Sequence, residues 1–487
     1  MANDLITPEK WSNKGYSGTW RQQEGGTIDV IEPATGARLA TVGKASPDDI
    51  RRAAQNAAAV QPQWERLHYA ERAGVFRKAA LLLEQHRAAF SEWIVRETGG
   101  IAPKAAFEID SVLHLLHEAA AMQTQSQGLI LPSPPGCLSQ ARRVPHGVVG
   151  VISPFNFPFL LSSRACLPAL ATGNAVVLKP DPRTPVSGGV LLACLLEAAG
   201  MPAGLFHMLP GGAEAGEALV TDPDVAMVSF TGSTAVGRRV GELAGRHLKK
   251  VALELGGKNA FIILDDADLD LAASGGAWAS WLHQGQICMS AGKHLVHEAI
   301  ADAYIERMAE KARALPVGNP HTEAVAVGPI ITRKQVERVA RIVDESVAMG
   351  ARLVAGGTFK DQFYAPTVLA DITPDMPAFR EEIFGPVVSI TRFSTDEEAV
   401  RLANDTEYGL SAGIHTANVG RGLAIAAKLK VGLVHVNDQP VNDDGTMPMG
   451  GRGASGNGSR HGGPANWDEF TQWQWMTVRS VPPSYPL

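Results

Sequence analysis

Cysteine is scarce in this chain. Cys137, Cys166, Cys194 and Cys288 are the only four in 487 residues, and their spacing forms neither a CxxC pair nor a disulfide framework. That argues against a disulfide-stapled secreted scaffold and points to free thiols in a cytoplasmic setting. Buried structural cysteine is inert, so one or two of the four at most are expected to react. An excess of charge of one sign is also missing. Lys and Arg number 44 against 50 Asp and Glu, a formal net charge of −6. No basic stripe of the kind a nucleic-acid binder carries is visible. Long apolar runs are absent too, since Gly, Pro or charge breaks each one well short of the about 18 residues a membrane helix needs. The opening residues, MANDLITPEKWSNKGYSG, lack the apolar core of a secretion signal. What remains is an ordinary globular balance, 45% hydrophobic and 19% charged, in a chain long enough for two or three domains.

The dominant pattern is alternation. Residues 1–45 read as short extended pieces between Gly and Pro turns. Ser46-Pro47-Asp48-Asp49 then has the marks of a helix start: a capping hydroxyl, Pro at the first position and acids facing the positive helix end. Two long Ala- and Leu-rich helices are expected over 47–65 and 69–98. From 145 to 256, β-like runs at 147–153, 175–179, 205–209, 225–231 and 250–255 alternate with helical segments at about 160–171, 185–200, 213–220 and 234–246. Buried strands alternating with helices predict a parallel, doubly wound sheet, with ligands at the carboxyl ends of its strands. A second alternation, with β-like runs at 259–264, 293–297, 385–393, 410–415 and 431–436, predicts a second α/β unit sharing no motif with the first. Beyond 440 the chain is Gly-rich and ends in TQWQWMTVRS, an alternating run expected as an edge strand that pairs with another subunit.

Three strand-end features can carry chemistry. In SFTGSTAVG (229–237), Gly232 and Gly237 lie between a strand and a helix. The motif is neither GxGxxG nor a P-loop, and it reads as a diphosphate turn at a positive helix end or as a plain tight turn. In VALELGG (251–257), Glu254 interrupts an apolar strand. A carboxylate there is either a general base with a raised pKa or a structural group bonded to backbone. In HQGQICMS (283–290), Cys288 sits in a Gly-containing turn. If it caps the following element, backbone N–H groups would favour its thiolate; otherwise it is a small core residue.

Several segments resemble the aldehyde dehydrogenase superfamily, in order and at its spacing. They are PFNFP (154–158), LKP (178–180), FTGSTAVG, LELGGKN (253–259), GQIC (285–288) and EEIFGPV (381–387), and Cys288 follows Glu254 by the family's 34 positions. The resemblance implies a fold of two doubly wound α/β domains with a small β extension. In it, 1–122 and 146–256 bind the nicotinamide cofactor, 257–455 are catalytic, and 123–145 with 464–487 supply oligomerisation strands of a homodimer or homotetramer. It also implies roles: Cys288 as nucleophile, Glu254 as the base for the deacylating water, and Asn156 with the Cys288 N–H as oxyanion site. Lys179 would hold the adenosine ribose, Ser233 the diphosphate, and Glu382 with Phe384 the nicotinamide end. Ser153, Pro154, Phe155, Gly211, Gly232, Gly237 and Leu255 complete the cofactor contacts, and no metal is called for. The chemistry is coherent, because an aldehyde must become tetrahedral before it can give up hydride, and the resulting thioester then needs an activated water.

Two departures bear on specificity. Phe155 stands where Trp is common. The acid usually found three residues after the lysine is replaced by Pro182, with Asp181 one position earlier, so NADP stands beside NAD as cofactor. Within the superfamily, LHQGQIC (282–288), KHLVH (293–297), VHVNDQP (434–440) and GASGNGSRHGGPA (453–465) resemble bacterial benzaldehyde dehydrogenases, with vanillin and salicylaldehyde dehydrogenases nearby. An aromatic aldehyde needs a flat apolar slot, for which Phe157, Leu282, Ile287 and Met289 are candidates, each also readable as ordinary packing. His283 reads as a backbone-bonded residue ahead of an extra acid–base group. Three other functions fit the residues less well. A coenzyme-A-acylating enzyme would not need Glu254, a cysteine hydrolase would need a His paired with Cys288, and a non-catalytic binding protein would have no use for Cys288, Glu254 and Asn156 together.

Overall fold

Short apolar runs rich in Val, Ile and Leu, bounded by Gly and Pro, become fully buried strands. The computed structural model describes residues 5–486, so residues 1–4 of the opening segment and Leu487 of the 464–487 segment lie outside it. The first sheet is built from β1 (Lys14–Ser17), β2 (Trp20–Gln22), β3 (Val148–Ile152), β4 (Ala175–Lys179), β5 (Phe206–Met208), β6 (Val225–Thr231) and β7 (Lys250–Glu254). Its order is β7-β6-β3-β4-β5-β1-β2. Pairing is parallel from β7 to β5 and antiparallel through β1 and β2. Every residue of β3 and β4 is buried, as expected for strands covered on both faces.

The second sheet comprises β8 (Asn259–Ile263), β9 (Ala291–His297), β10 (Arg352–Ala355), β11 (Thr367–Ala370), β12 (Val387–Phe393), β13 (Ser411–His415) and β14 (Leu433–Val436). Its order is β10-β11-β12-β9-β8-β13-β14, parallel except for the β10–β11 edge. A third, antiparallel sheet joins Thr471–Arg479, Cys137–Pro145 and Gly128–Leu131. The terminal run is therefore an edge strand, paired here within its own chain. Among the described residues no helix is long and apolar enough to cross a membrane.

The two α/β units are as the alternation predicts, with some differences, among them a further helix at Val419–Ala426. The expected helix 69–98 is two, Tyr69–Gln85 and Arg87–Thr98, joined at His86. A helix not anticipated, Ala102–Met122, follows, with its Pro in the first turn where the missing N–H costs nothing. Strands β10 and β11 were also not anticipated. At Ser46 the expected start is a full capping box, Ser46 accepting from the Asp49 N–H while the Asp49 carboxylate accepts from the Ser46 N–H.

The order of the first sheet fixes where a ligand goes. The chain runs from β3 outward to β4 and β5, then returns to the other side of β3 to lay down β6. The switch point, where loops diverge and leave a crevice, is thus at the carboxyl ends of β3 and β6. Those ends carry Ser153–Phe157 and Gly232-Ser233.

Candidate active site

The loop bearing Cys288 is built under constraint. After the helix Leu269–Trp281 the chain passes through His283, Gln284 and Gly285 with φ of 49°, 57° and 66°. For the two non-glycine residues this costs on the order of 1–3 kcal/mol each, and it persists only where the surroundings enforce it. They do. Gln284 Nε2 donates to Gly99 O (3.1 Å), and buried Gln286 Oε1 accepts from the Ile331 N–H (3.0 Å). At the start of β8, Asn259 Nδ2 donates to the carbonyls of both Cys288 and Ser290 (2.8 Å each), and its Oδ1 accepts from the Ser411 N–H (3.0 Å). Asn259 therefore clamps the cysteine loop to the second sheet. Gly257 allows the close approach, since a Cβ there would lie 2.5 Å from the Cys288 carbonyl oxygen. Gly257→Ala is expected to lower kcat on the order of 10²-fold by displacing the thiol, with little effect on global unfolding; unchanged kcat would show that the loop tolerates the shift.

Glu254, the last residue of β7, is 4% exposed, and neither carboxylate oxygen has a hydrogen-bond partner. Burial holds its pKa well above the ordinary value, with Arg460 and Arg164 opposing in part. The Gly451 amide also favours the anion, though it lies outside strict hydrogen-bond geometry. Glu254 and Cys288 face each other across a cavity of about 20 Å³, shared with Arg164, Met449 and His461. That is room for one water.

The thiol does not have the environment of a capping cysteine. Cys288 precedes β9 rather than a helix, and burial pushes its pKa up to about 12, helped by the charges of Glu382, Asp443 and Glu254. The resting group is a thiol, because the condition under which backbone N–H groups would favour the thiolate, a cap on the following element, is not met. Cys166 and Cys194 are buried with their pKa also raised, and Cys194 lies deep in the core at about 12. Geometry therefore separates the cysteines: Cys288, half-buried, opens onto both the cavity it shares with Glu254 and a larger one.

The larger cavity, about 240 Å³, brings together Asn156, Phe157, Leu282, Ile287, Cys288 and Met289. Asn156 is buried, and its amide donates to Gln286 O at 2.9 Å, which aims the side chain at the cysteine loop. Phe107 meets Phe157 edge-on at 6.2 Å. Buried Lys104 lies 4.7 Å over the Phe157 ring and is paired with Glu108. His283 lines neither cavity. It packs edge-on to Phe157 at 5.4 Å, burial holds its pKa well below the ordinary value, and its ring nitrogens lack hydrogen-bond partners, the Asn156 backbone being outside bonding geometry. The backbone bond expected for it is therefore not formed. The wall is also less free of charge than the sequence suggested, because Lys104, Arg164 and Asp443 line it as well.

A nicotinamide dinucleotide fits the crevice at the switch point. Ser233 is the exposed N-cap of the helix Thr234–Arg246 and makes no side-chain cap, leaving first-turn N–H groups to an anion. Gly237 lets this helix seat against Leu255, whose side chain a Cβ would strike. Gly232 N donates to Glu254 O (3.0 Å), tying the turn to the end of β7. At the end of β4, Lys179 Nζ donates to the carbonyls of Pro180 (3.1 Å) and Gly211 (3.0 Å). The Ser153 hydroxyl is hydrogen-bonded to that of Ser162 (2.7 Å), which itself donates to Gly188 O (2.6 Å), and Pro154 lies between Ser153 and Phe155 on the same turn. Glu382 Oε1 accepts from the Gly257 N–H (2.9 Å), and a Cβ at Gly256 would collide with that carboxylate. Phe384, at φ 53°, meets Phe155 edge-on at 5.9 Å. Asp181 is not free to replace the acid missing at Pro182: Arg183 holds it through Nε (2.8 Å) and Nη2 (2.6 Å) while stacking 4.0 Å over Phe155.

Two parallel sheets sharing one cleft place the chain among α/β enzymes that hold a dinucleotide at a switch point and react at a loop opposite. The particular family follows from comparison. The sequence profile of the aldehyde dehydrogenase family matches residues 20–476, and the chain belongs to that family. It is 53% identical to a vanillin dehydrogenase of Amycolatopsis sp. over 99% of its length and 100% of that enzyme. It is 48% identical to a benzaldehyde dehydrogenase [NAD(+)] of Pseudomonas putida, over 98% of each. Among solved structures it matches an E. coli NADP dependent enzyme with TM-score 0.94 and 32% identity, over 98% of this chain and 100% of that one. It matches betaine aldehyde dehydrogenase of Staphylococcus aureus in complex with NAD+ with TM-score 0.94 and 29% identity, over 99% and 97%.

Proposed function

We propose that this protein oxidises an aromatic aldehyde to its carboxylic acid with NAD as acceptor. The observation that carries the reading is the cavity of about 240 Å³ that ends at Cys288 and Asn156 between Phe157, Leu282, Ile287 and Met289. The names of the vanillin and benzaldehyde dehydrogenases it resembles point the same way.

In this reading Cys288 gives its thiol proton to a water in the small cavity, which passes it to solvent, and the sulfur attacks the carbonyl carbon. Asn156 Nδ2 and the Cys288 N–H donate to the oxygen as it becomes an oxyanion. The nicotinamide, when bound, supplies the hydride acceptor. Collapse of the tetrahedral adduct leaves a thioester on Cys288. Glu254 then takes a proton from a water in the small cavity, the water oxygen bonds to the acyl carbon, and the carbon–sulfur bond breaks to release the acid while the leaving sulfur takes that proton back. Burial raises the pKa of Glu254, which makes its carboxylate a stronger base towards that water.

Segments 1–122 and 146–256 would carry the cofactor, with Lys179, Gly211, Gly232, Ser233, Gly237 and Leu255 along it and Ser153, Pro154, Phe155, Glu382 and Phe384 at its reactive end. Segment 257–455 would carry the catalytic loop. Residues 123–145 and 464–487 would form the surface for a second copy: Leu129, Ile130, Leu138, Trp473, Trp475 and Val478 are exposed apolar side chains on the third sheet. A homodimer or homotetramer is the expected state.

An aldehyde panel run with both cofactors tests the reading. Benzaldehyde is expected to exceed acetaldehyde and succinate semialdehyde in kcat/KM, and the acid is expected to form without coenzyme A. NAD is expected to serve, with some turnover on NADP because Pro182 removes the acid that would repel an added phosphate. A clear aliphatic preference would overturn the aromatic assignment.

A further inference from the structure

Beneath the oxyanion turn lies a pair of ionisable side chains that the reaction above does not use. Lys104 and Glu108 stand one turn apart on the helix Ala102–Met122, are ion-paired, and have wholly buried side chains. Burying such a pair costs desolvation that two apolar side chains would avoid, so stability alone explains it poorly. What the pair touches is more telling. Phe157 is the N-cap of the helix Pro158–Ala171 and supplies no side-chain cap. Pro158 has no N–H, and the Leu161 N–H is taken by Phe157 O (2.8 Å). Phe159 and Leu160 therefore carry the first-turn donors that the helix cannot satisfy itself. Glu108 Oε2 accepts from the Leu160 N–H (3.1 Å), a cap delivered from a neighbouring helix.

Glu108 Oε1 accepts from Lys104 Nζ, which also donates to Thr98 Oγ1 (3.4 Å) and lies 4.7 Å over the Phe157 ring. The pair thus holds the ring of Phe157 and the N–H of Leu160 at once, and Thr98 anchors it to the end of the helix Arg87–Thr98. The residue just before this grip is Asn156, whose amide reaches the cysteine loop through Gln286 O (2.9 Å). We propose that Lys104 and Glu108 are positioning residues for hydride transfer: they fix the start of the helix Pro158–Ala171 and so hold the Asn156 amide where the aldehyde oxygen gains charge. Neither has to touch the aldehyde. The proposal rests on reading Asn156 as the oxyanion donor and deepens it.

The rate to measure is formation of reduced cofactor in a single turnover, with NAD present and enzyme in excess over benzaldehyde, so that thioester hydrolysis does not enter. Lys104→Met/Glu108→Leu removes both ionisable groups together, leaving neither buried alone, and withdraws the acceptor from Leu160. Lys104→Met/Glu108→Gln removes both as well but keeps an acceptor of the same reach. The Leu variant is expected to slow hydride transfer on the order of 10²-fold, and the Gln variant to stay within about tenfold of native. Added to Asn156→Ala, the Leu pair should cost less than about threefold more, because the group it positions is gone. A pair that only stabilised the fold would lower Tm and leave the rate, measured well below Tm, unchanged. The proposal is overturned by a Leu variant within about threefold of native, by equal losses in the Leu and Gln variants, or by losses that multiply in the Asn156→Ala background. Should the Leu variant not fold, Glu108→Asp decides, since it is one methylene too short to reach both Lys104 and Leu160. A loss that vanishes in the Asn156→Ala background is then expected; a rate equal to native, or a loss that persists there, contradicts the proposal. An Asn156→Ala rate equal to native would instead remove the oxyanion reading on which it rests.

Discussion

Replacing Cys288 by Ser or Ala is expected to lower aldehyde-dependent reduction of the cofactor on the order of 10⁴-fold or more while leaving the fold intact. Among the described residues Cys288 carries the only thiol lining either cavity, and the Met449 thioether beside it cannot form a thioester in its place. Serine keeps the shape, but its hydroxyl ionises far less readily, and the burial that pushes the thiol up to about 12 acts on an alkoxide too. Unfolding curves should be nearly unchanged, because the side chain is half-buried in a loop held by Asn259, Gln284 and Gln286, which stay in place. Activity in either variant within tenfold of native would remove Cys288 from the reaction.

Glu254→Gln is expected to separate the two half-reactions. Hydride transfer needs no base on this side of the cleft, so each site should produce one reduced cofactor in a burst. Steady turnover should then fall about 10²–10⁴-fold as the thioester waits for an unactivated water. The native rate of deacylation should rise with pH through a pKa above the usual glutamate range, because the protonated carboxyl cannot accept the proton. The amide variant should lose that dependence. The same shift has a consequence for stability. A carboxyl whose folded pKa lies above its unfolded value favours the fold while it is neutral, and that contribution is lost as pH rises from the ordinary carboxylate range through the raised value. Glutamine never ionises, so the Tm of the variant should equal or exceed that of the native protein at neutral and alkaline pH. A lower Tm there would mean that the carboxylate is stabilised in the fold by contacts the structure does not contain.

Much of the scaffold was legible in the sequence because burial on both faces leaves a strong mark. β4 is an unbroken AVVLK between Asn and Pro, and its bounds were read at both ends. The helix Ala102–Met122 was not, since Gly99-Gly100 before it and Pro103 within its first turn look like punctuation; only the packed structure shows that the Pro opens a helix. Glu254 was singled out by the physics of a charge in an apolar strand, and Cys288 by its neighbours in the motif rather than by its own turn. The raised pKa of the thiol was not legible, because desolvation is set by groups far apart in the chain, Glu382 and Asp443 among them. Arg164 and Asp443 were missed for the same reason. They stand 279 positions apart, belong to no motif, and become a pair only when the helix after β3 meets the segment after β14. Asn259 was read as part of a motif, but its clamp on the Cys288 carbonyl depends on the register of β8 against β9.

The central claim is that one cysteine carries the acyl group and one glutamate is needed to release it. Glu254→Gln enzyme mixed with benzaldehyde and NAD, quenched in acid and digested, gives the direct test by peptide mass. The expected result is a benzoyl adduct on the peptide containing Cys288, at one per site and matching the burst of reduced cofactor. A burst with no adduct, or an adduct on the peptide of Cys137, Cys166 or Cys194, would contradict it.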